Sequence, residues 1–372
     1  MKKIGITGQK GFIGSHLYNS LLLFPNEFEC IPFEDVYFEK EETLATFVAQ
    51  CDVIVHLAAV NRHESEQVLY NTNVALTQKL VIALKKTESK AHVFISSSTQ
   101  EERENLYGKS KRIARELLND WAKNYGGKAT GLIIPNGFGA FGKPFYNSFI
   151  ATFCHQLTHG ETPSIATDAE VKLIYIQELI SLIIEEIRAE RSYPALEISP
   201  TATKKVSEVL TVLENFKVSY LEKGEIPVFS EAFEHNLFNT FRSYIDHKSH
   251  FPVKLTQHTD DRGAFVEVIR LGIGGQCSFS TTHPHITRGN HYHTRKIERF
   301  TVIKGKALIQ LRKINTQEIL EFYLDGNEPA YVDMPIWYTH NITNIGNDDL
   351  YTIFWIDEPY NPNNPDTYFL EV

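Results

Sequence analysis

Two groups of residues that could do chemistry lie at opposite ends of this 372-residue chain. Near its start, a glycine-rich segment ends at Gly14, and a tyrosine and a lysine follow at Tyr107 and Lys111. Near its end, a His-x-His pair begins at His291, and a glutamate and a further histidine follow. The first group is typical of a nicotinamide-dependent reductase and the second of a metal site in a β-barrel. A chain that carries both is predicted to perform two consecutive steps on one substrate.

The glycine-rich segment reads Thr7-Gly8-Gln9-Lys10-Gly11-Phe12-Ile13-Gly14, between a predicted strand and a predicted helix. Glycines at this spacing allow a tight turn and let the backbone approach a pyrophosphate, which then lies at the helix N-terminus. We therefore predict a dinucleotide-binding loop. Its predicted cofactor contacts are Gly8, Lys10, Gly11, Phe12, Ile13 and Gly14.

The residues after the second predicted strand leave the choice between NADPH and NADH open. Glu34 and Asp35 lie about 20 residues past the loop, where an acidic side chain would accept from a free ribose hydroxyl and favour NADH. Lys10 and Arg62 could instead pair with the 2′-phosphate of NADPH. Glu34 and Asp35 would then be surface charges.

Tyr107 and Lys111 have i, i+4 spacing on a predicted helix, so both side chains point from one face. A neighbouring ammonium lowers the pKa of a phenol and suits it for proton transfer. Ser97 and Ser98 end the preceding predicted strand and offer hydroxyls for the oxygen of a substrate carbonyl. Further residues predicted to line the cofactor are Leu57, Ala58 and Asn73.

The second group combines three imidazoles with one carboxylate, at His291, His293, Glu298 and His340. This set suits Zn²⁺, Fe²⁺ or Mn²⁺. With no sulfur ligands and no redox partner residues evident, we predict Zn²⁺. On a strand, His291 and His293 would point to one side of the pleat, and a barrel could bring the other two side chains to the same interior point.

Length and composition exclude several classes of protein. A chain of 372 residues favours two domains. A formal charge of −9 argues against a nucleic-acid partner, which needs a basic face. The four cysteines lack CxxC spacing, as expected of reduced thiols in a cytoplasmic chain. No apolar run reaches about 18 residues, so no membrane insertion is expected.

The pattern of predicted elements changes near residue 247. Before it, strands alternate with helices, which predicts βαβ units and a parallel sheet. After it, short strands between turns predict an all-β barrel or jelly roll. The fold class is therefore α/β plus all-β, with domains 1–246 and 247–372. The predicted strands of the first domain are Lys3–Thr7, Glu29–Phe33, Asp52–Ala58, His92–Ser96 and Ala129–Ile134. The predicted strands of the second are Ala264–Arg270, Gln276–Thr282, Glu298–Lys304, Ala307–Lys313, Glu318–Leu324, Ala330–Asp333, Asn341–Asn344 and Tyr351–Trp355.

The glycine loop, the serines and the Tyr-x-x-x-Lys pair together resemble the extended short-chain dehydrogenase/reductases that act on nucleotide sugars. That resemblance implies a Rossmann-like fold whose second half binds the nucleotide sugar. The stretch from Ile133 to Gly139 occupies the place of the family's Arg-x-x-Asn-x-Tyr-Gly, with Ile133 and Phe138 replacing the arginine and the tyrosine. The implied substrate contact is therefore carried over only to Asn136.

The histidine group resembles the two motifs of the cupins. Gly289-x-His-x-His-x4-Glu-x6-Gly305 has the intervals of the first motif, and Pro335-x4-His-x3-Asn344 those of the second, with Trp337 where the family usually has glycine. The stretch Asp260–Phe265 is similar to one in the dTDP-sugar 3,5-epimerases, which implies a substrate contact at Arg262.

In those epimerases the metal is absent, and a histidine of the first motif acts as the base. Here His291 is expected to bind the metal, which leaves the base open. The candidates are His283, His285 and Tyr338. The metal could also polarise a substrate ketone or be structural.

The whole chain resembles the CapF-type capsular polysaccharide synthesis enzymes, in which an extended short-chain dehydrogenase/reductase is fused to a cupin. The matching stretches are Val60-Asn61-Arg62, Tyr146–Cys154, Ile286–His291 and Asn361–Val372. The resemblance implies a homodimer. Where the family has an arginine after the second strand, this chain has Glu34-Asp35. Beyond Asn136 and Arg262, we expect substrate contacts at Asn147 and Tyr338.

The resemblance also implies a reaction. The cupin half would epimerise C3 of a UDP-linked 4-keto-6-deoxy-N-acetylhexosamine. The reductase half would then reduce the C4 ketone with NADPH to UDP-2-acetamido-2,6-dideoxy-L-talose, a precursor of N-acetyl-L-fucosamine for surface polysaccharide. Epimerisation must come first because the ketone acidifies the neighbouring C3 proton. The alternatives are a sugar sensor that binds a nicotinamide cofactor, which would need neither Tyr107 nor Lys111, and a reductase with a non-catalytic cupin.

Overall fold

The computed structural model describes residues 1–261 and 263–372 and forms two compact units. The first comprises Met1–Thr152 and Ile165–Ser207, and the second Phe153–Ser164 and Glu208–Val372. The predicted fold class is confirmed, since the first unit is built on a parallel sheet and the second on antiparallel strands. Among the residues described, no helix combines the length and apolarity needed to cross a membrane.

Both units contain helices. They are α1 (Phe12–Leu21), α2 (Glu41–Ala49), α3 (Glu66–Lys86), α4 (Leu106–Tyr125), α5 (Phe149–Thr158), α6 (Ile176–Ala189), α7 (Val206–Phe216), α8 (Ala232–Arg242) and α9 (His247–His250). Short 3₁₀ turns cover Asp35–Glu39 and Thr99–Glu102, and a π-helical turn covers Lys217–Glu222. The sequence patterns predicted neither α5 nor α8.

A six-stranded parallel sheet, in the order β2-β1-β3-β4-β5-β8, forms the centre of the first unit. Most residues of its inner strands are buried, as expected of a parallel sheet covered on both faces, and all four residues of β3 are buried. Three further strands form a small sheet in the order β6-β7-β9. The strands of this unit are β1 (Lys2–Thr7), β2 (Phe28–Ile31), β3 (Val53–His56), β4 (His92–Ser98), β5 (Lys128–Ile134), β6 (Asn136–Phe138), β7 (Glu170–Tyr175), β8 (Leu196–Glu197) and β9 (Ala202–Lys205).

Helix α4 positions the predicted proton donor. Its N-terminus is capped by the Asn105 side chain, which accepts from the backbone N–H of Gly108 at 2.7 Å. It ends at Gly126, which adopts the left-handed conformation common after a helix. Tyr107 therefore lies in the first turn, beside the carboxyl end of β4.

Two five-stranded antiparallel sheets form the barrel of the second unit, in the orders β10-β18-β15-β20-β13 and β17-β16-β19-β14-β21. Apolar residues of both sheets, such as Val302 and Ile309, share one core. The strands are β10 (Val253–Lys254), β11 (Gln257–Asp260), β12 (Gly263–Val266), β13 (Gln276–Thr282), β14 (Thr287–Tyr292), β15 (Glu298–Lys304), β16 (Lys306–Lys313), β17 (Ile319–Asp325), β18 (Ala330–Met334), β19 (Tyr338–Asn344), β20 (Leu350–Ile356) and β21 (Tyr368–Phe369). The predicted strand Ala264–Arg270 corresponds to β12, which already ends at Val266.

The compact units divide at a different place from the predicted boundary between residues 246 and 247. The residues from Glu208 onward already belong to the second unit. A buried polar network gives the physical reason. The Tyr220 hydroxyl donates to Asp333 at 2.5 Å, and Arg299 donates to the same carboxylate at 2.6 and 2.8 Å. Arg242 donates to the main-chain oxygen of Met334 at 2.9 Å. The change in sequence pattern near residue 247 marks where strands begin and not where packing changes.

Removing the Tyr220 hydroxyl is expected to destabilise the second unit. Tyr220→Phe leaves Asp333 buried with one partner fewer, which should lower the free energy of unfolding by about 1.5–3 kcal/mol. Urea denaturation followed by tryptophan fluorescence measures the change. Tyr323→Phe is the matched control, because that hydroxyl donates to Glu321 at the surface; it should leave stability unchanged. Equal effects of the two substitutions would contradict the role of the network.

Candidate active sites in the two units

A cavity of about 720 Å³ opens in the first unit. The glycine loop, the end of β3, the end of β4 and the start of α4 line it. The predicted cofactor residues on its wall are Gly8, Lys10, Gly11, Phe12, Ile13, Gly14, Leu57, Ala58, Tyr107 and Lys111. The predicted substrate and catalytic residues on its wall are Ser97, Ser98, Asn136 and Asn147. The fold therefore gathers residues from six separate stretches of the sequence into one space.

The geometry of the glycine loop fits a bound dinucleotide. Gly8 has φ of 70°, and a Cβ there would lie 2.8 Å from the backbone nitrogen of Ala58. Only glycine tolerates both conditions. Gly11 precedes α1, and no described side chain caps that helix. Its first N–H groups and its dipole therefore favour a pyrophosphate.

Three predicted cofactor residues lie away from the cavity wall. Glu34 is off the wall, whereas its neighbour Asp35 lines it. Arg62 donates to the main-chain oxygens of Phe145 and Tyr146 at 3.3 and 3.2 Å.

The third is Asn73. Its side-chain oxygen accepts from the backbone N–H of Val60 at 2.7 Å, and its side-chain NH₂ donates to the main-chain oxygen of Val60 at 3.0 Å. Asn73 therefore shapes the loop after β3. Arg62 bonds to the 145–146 segment in the same way, and the predicted cofactor contacts of both side chains stay predictions.

Tyr107 keeps its proton more strongly than the sequence suggests. Burial raises its pKa to about 12, and the nearby Tyr146 acts in the same direction. Lys111 Nζ lies 5.8 Å from the Tyr107 ring centroid. The direction of the pKa shift is opposite to the predicted lowering, because burial disfavours the charged phenolate. Burial also lowers the pKa of Lys111 to about 8, against the opposing effect of Glu101. The Tyr107 hydroxyl donates to Asn61 at 3.3 Å.

The two serines at the end of β4 have different partners. Ser97 donates to the buried carboxylate of Glu101. Arg115 holds the same carboxylate with hydrogen bonds of 2.6 and 2.9 Å. Ser98 instead accepts from the backbone N–H of Gln100 at 3.2 Å, so its own proton can be given to a substrate oxygen. Glu101 gave no sequence signal, because it lies in a run of charged residues that reads as surface.

The four predicted metal ligands come together inside the barrel, with their ligand atoms all within 4.8 Å of one another. His291 on β14 faces His340 on β19 in the strand pairing. Glu298 opens β15, and His293 lies one residue past the end of β14. His293, Glu298 and His340 are buried, and His291 is half-buried.

Hydrogen bonds orient two of these imidazoles for a cation. The Nδ1 atoms of His293 and His340 contact the main-chain oxygens of Asp366 and Tyr338 at 2.5 and 3.2 Å. A carbonyl only accepts, so both Nδ1 atoms carry the proton and both Nε2 atoms face Glu298, at 3.1 and 3.2 Å.

The charges of the cluster also fit a bound cation. Nε2 of His340 is fully buried and makes no hydrogen bond of good geometry among the described atoms. Burial alone would raise the pKa of Glu298, but the two facing imidazoles hold it well below its usual range. Burial and His340 lower the pKa of His291 to about 4. A carboxylate ringed by imidazole nitrogens fits Zn²⁺ or a similar ion.

Comparisons with known proteins identify the family of each half of the chain. Residues 4–197 match the NAD dependent epimerase/dehydratase family, and residues 258–368 match the polysaccharide biosynthesis C-terminal domain. A UDP-2-acetamido-2,6-beta-L-arabino-hexul-4-ose reductase from Pseudomonas aeruginosa is 34% identical over 100% of this chain and 99% of its own length. The crystal structure of CapF from Staphylococcus aureus is 34% identical, covers 100% of both chains and superposes with a TM-score of 0.62. This chain belongs to the CapF family. A CapF structure with the inhibitor 3-isopropenyl-tropolone is 33% identical over 100% of both chains, with a TM-score of 0.58.

One departure of this CapF-type chain from the cupin pattern now has a structural explanation. Trp337 occupies the usual glycine position and has φ of 62°, in the region that favours glycine. Its side chain is buried and stacks on Tyr292 at 5.9 Å between ring centroids. Packing of the indole offsets a backbone conformation that costs about 1–3 kcal/mol.

The remaining predicted residues of this CapF-type chain are spread over the second unit. His283 is 81% exposed in its side chain and lies 2.8 Å from Asp349. His285 has φ of 61°. Tyr338 is half-buried, and burial raises its pKa to about 12. Arg262 lies outside the described residues.

A bulge in β14 sets the direction of His291. The register between β14 and β19 shifts between Gly289 and His291, and Gly289 has φ of 99°. A Cβ at Gly289 would lie 2.8 Å from the main-chain oxygen of His340. The glycine therefore lets the two ligand-bearing strands approach each other.

Gly289→Ala is expected to destabilise the barrel by about 2 kcal/mol or more, because the new Cβ meets backbone and the φ is strained. Thermal unfolding of the metal-free protein measures the change. Gly274→Ala is the control in the same unit, since its φ is not positive and no described atom lies within 4 Å of the new Cβ. If both variants unfold at the wild-type temperature, the bulge does not depend on glycine.

Proposed function

We propose that this chain inverts C3 and then reduces the C4 ketone of a UDP-linked 4-keto-6-deoxy-N-acetylhexosamine. The product would be UDP-2-acetamido-2,6-dideoxy-L-talose, a precursor for surface polysaccharide. The observation that carries the proposal is the single cavity in which the glycine loop meets Tyr107, Lys111, Ser98 and Asn136. The relative that is named a UDP-2-acetamido-2,6-beta-L-arabino-hexul-4-ose reductase supports the substrate class.

The first unit carries the reduction in this proposal. Ser98 donates to the C4 carbonyl oxygen, and Tyr107 delivers a proton to it. The high pKa of Tyr107 suits this direction, because a phenol that keeps its proton is an acid ready to give it away. Lys111 supplies a positive charge beside the developing alkoxide. A bound nicotinamide would supply the hydride.

We propose NADPH as the cofactor, with NADH as the second candidate. Lys10 on the cavity wall offers a cation for a 2′-phosphate, whereas Asp35 on the same wall favours a free ribose hydroxyl. The ratio of kcat/KM for the two cofactors, measured for wild type and for Asp35→Asn, decides between them. A shift of the ratio toward NADPH in the variant assigns the discrimination to Asp35.

The second unit carries the epimerisation in this proposal. The C4 ketone acidifies the C3 proton, and a base removes it and returns it on the other face. We assign Zn²⁺ to the four-residue cluster, where its Lewis acidity would act on a substrate oxygen. The inhibitor solved with a CapF adds support, since a tropolone carries two adjacent oxygens that chelate divalent metals. Single substitutions of His283, His285 and Tyr338 would assign the base.

One experiment tests both halves. The protein is incubated with the 4-keto sugar nucleotide in D₂O, with and without NADPH, and followed by NMR and by cofactor absorbance. We expect deuterium at C3 without NADPH, and oxidation of NADPH when it is added. Reduction without exchange would leave a reductase with a non-catalytic cupin. If neither occurs, the chain is a binding protein and the proposal fails.

Tyr107→Phe is expected to separate the two activities. Loss of the proton donor should lower the rate of reduction by about 10²–10⁴-fold, while deuterium exchange at C3 stays within twofold of wild type. The control is Tyr125→Phe, which removes an exposed hydroxyl at the other end of α4 and should change neither rate. Loss of both activities in Tyr107→Phe would show that the sites are not independent.

The pH dependence of reduction should follow Lys111. Its charged form is the useful one, so the rate should fall as the pH rises through the lowered pKa of about 8. Glu101 favours the charged form, and Glu101→Gln should therefore move this fall to lower pH. His56 and Tyr107 also face Lys111, but burial lowers the pKa of His56 to about 3 and raises that of Tyr107 to about 12, so both stay neutral there. Profiles of kcat/KM measure the effect.

Glu102→Gln is the control for the pH profile, because this neighbour is exposed. It should leave the profile in place. If Glu101→Gln and wild type lose activity at the same pH, Lys111 does not govern that limb.

A further inference from the structure

We propose that the segment 361–372, and above all Asp366, is a positioning element for the metal-binding side chains of the barrel. The inference rests on the metal centre of the proposed function. It assigns a role to the tail motif that the reaction chemistry leaves unexplained. Asp366 acts through two different groups: its main-chain oxygen contacts His293, and its carboxylate contacts the turn between His293 and Glu298.

The carboxylate of Asp366 holds the turn between two ligands. It is buried and accepts from the backbone N–H groups of Thr294, Arg295 and Lys296 at 3.1, 3.0 and 3.1 Å. It also accepts from the Thr294 hydroxyl at 2.6 Å. These three residues directly follow His293 and lead to Glu298. Four donors on one desolvated carboxylate fix the spacing of those two ligands.

The main-chain oxygen of Asp366 fixes the state of His293. It lies 2.5 Å from Nδ1 of that ring. Because the oxygen only accepts, Nδ1 carries a proton. Nε2 lies 3.1 Å from the Glu298 carboxylate, to which it donates in this structure, and it is the atom that would bind a metal ion after losing that proton. Asp366 has φ of 42°, a left-handed conformation that aspartate tolerates better than most residues. The Asp366 carboxylate therefore binds the turn 294–296, while its main-chain oxygen binds the His293 ring.

The rest of the segment is anchored to the same strands. The buried Lys296 donates to the main-chain oxygen of Pro365 at 2.7 Å. Strand β21 pairs with the end of β14, placing Phe369 opposite His291. Leu370 donates to the main-chain oxygen of Asn290 at 2.9 Å. The segment therefore contacts the backbone on both sides of the His-x-His pair.

Such contacts could serve stability alone, so the test must read the metal itself. Asp366→Asn replaces one acceptor oxygen with an NH₂ group that faces N–H donors. In the full chain, Zn²⁺ affinity from chelator competition should fall by about 10–100-fold. The visible spectrum of the Co²⁺-loaded protein should also change, because the ligand geometry changes. Thr294→Val removes one donor to the carboxylate and should cause a smaller loss in the same direction.

The matched control is Asp325→Asn. Asp325 also accepts from a backbone N–H in a turn of the barrel, that of Asn327 at 2.9 Å, and is not one of the cluster's partners. It should leave Zn²⁺ affinity and the Co²⁺ spectrum unchanged. Equal losses in Asp325→Asn and Asp366→Asn would overturn the inference.

The outcomes separate the inference from the function on which it rests. Zn²⁺ affinity within twofold of wild type in Asp366→Asn, whatever the melting temperature of the metal-free protein, reduces Asp366 to a structural cap and overturns the inference. If that variant fails to fold, unchanged affinity in Thr294→Val has the same consequence. A wild-type protein that binds neither Zn²⁺ nor Co²⁺ removes the proposed metal centre itself.

Discussion

A carboxylate that leaves water must find partners, and this requirement organises both units of the protein. Arg115 donates to Glu101, close to the serines at the end of β4. Arg299 and Tyr220 donate to Asp333, on strand β18 of the barrel. The Glu298 carboxylate faces the imidazole of His293, and the Asp366 carboxylate accepts from backbone N–H groups such as that of Arg295. Each of these buried charges has at least one partner from another element of the fold, so it links separate segments of the chain. The cavity wall behind Ser97, the contact of Tyr220 with the barrel, and the histidine–glutamate cluster each involve one such charge.

The two sites use burial in opposite ways. In the first unit burial holds Tyr107 in its protonated form and weakens the hold of Lys111 on its proton. A protonated phenol suits a site that donates a proton, whereas Lys111 can stabilise a negative oxygen only while it stays charged. In the barrel, burial removes water from imidazole nitrogens that already face a carboxylate. A divalent cation is the partner that such a group lacks, since it satisfies the lone pairs and the negative charge together.

Three residues close to the histidine–glutamate cluster adopt backbone conformations that most residues avoid. Gly289, Asn290 and Trp337 all have positive φ values. Gly289 and Asn290 form the bulge that directs His291, and Trp337 donates its backbone N–H to the main-chain oxygen of His293 at 2.8 Å. The strain therefore lies where ligand direction matters. Regular strands would pair more simply, but they would not direct these rings toward one another.

The sequence by itself determined the class of each unit and predicted most of the residues that the structure brings together in the cavity and in the histidine–glutamate cluster. Periodicity specifies strands and helices because it reflects one-sided burial, and the glycine loop is short enough for spacing to predict its turn. The His-x-His spacing predicted a regular strand, whereas the structure has a bulge before His291 and places His293 past the end of β14. Tertiary structure decided the rest. Asp35 lies on the cavity wall, whereas Glu34 does not, and the side chains of Arg62 and Asn73 bond to backbone groups. Burial raises the pKa of Tyr107. Residues 208–246 belong to the same compact unit as the barrel. Each of these outcomes depends on desolvation or on a partner far away in the chain, and neither quantity is encoded in local spacing.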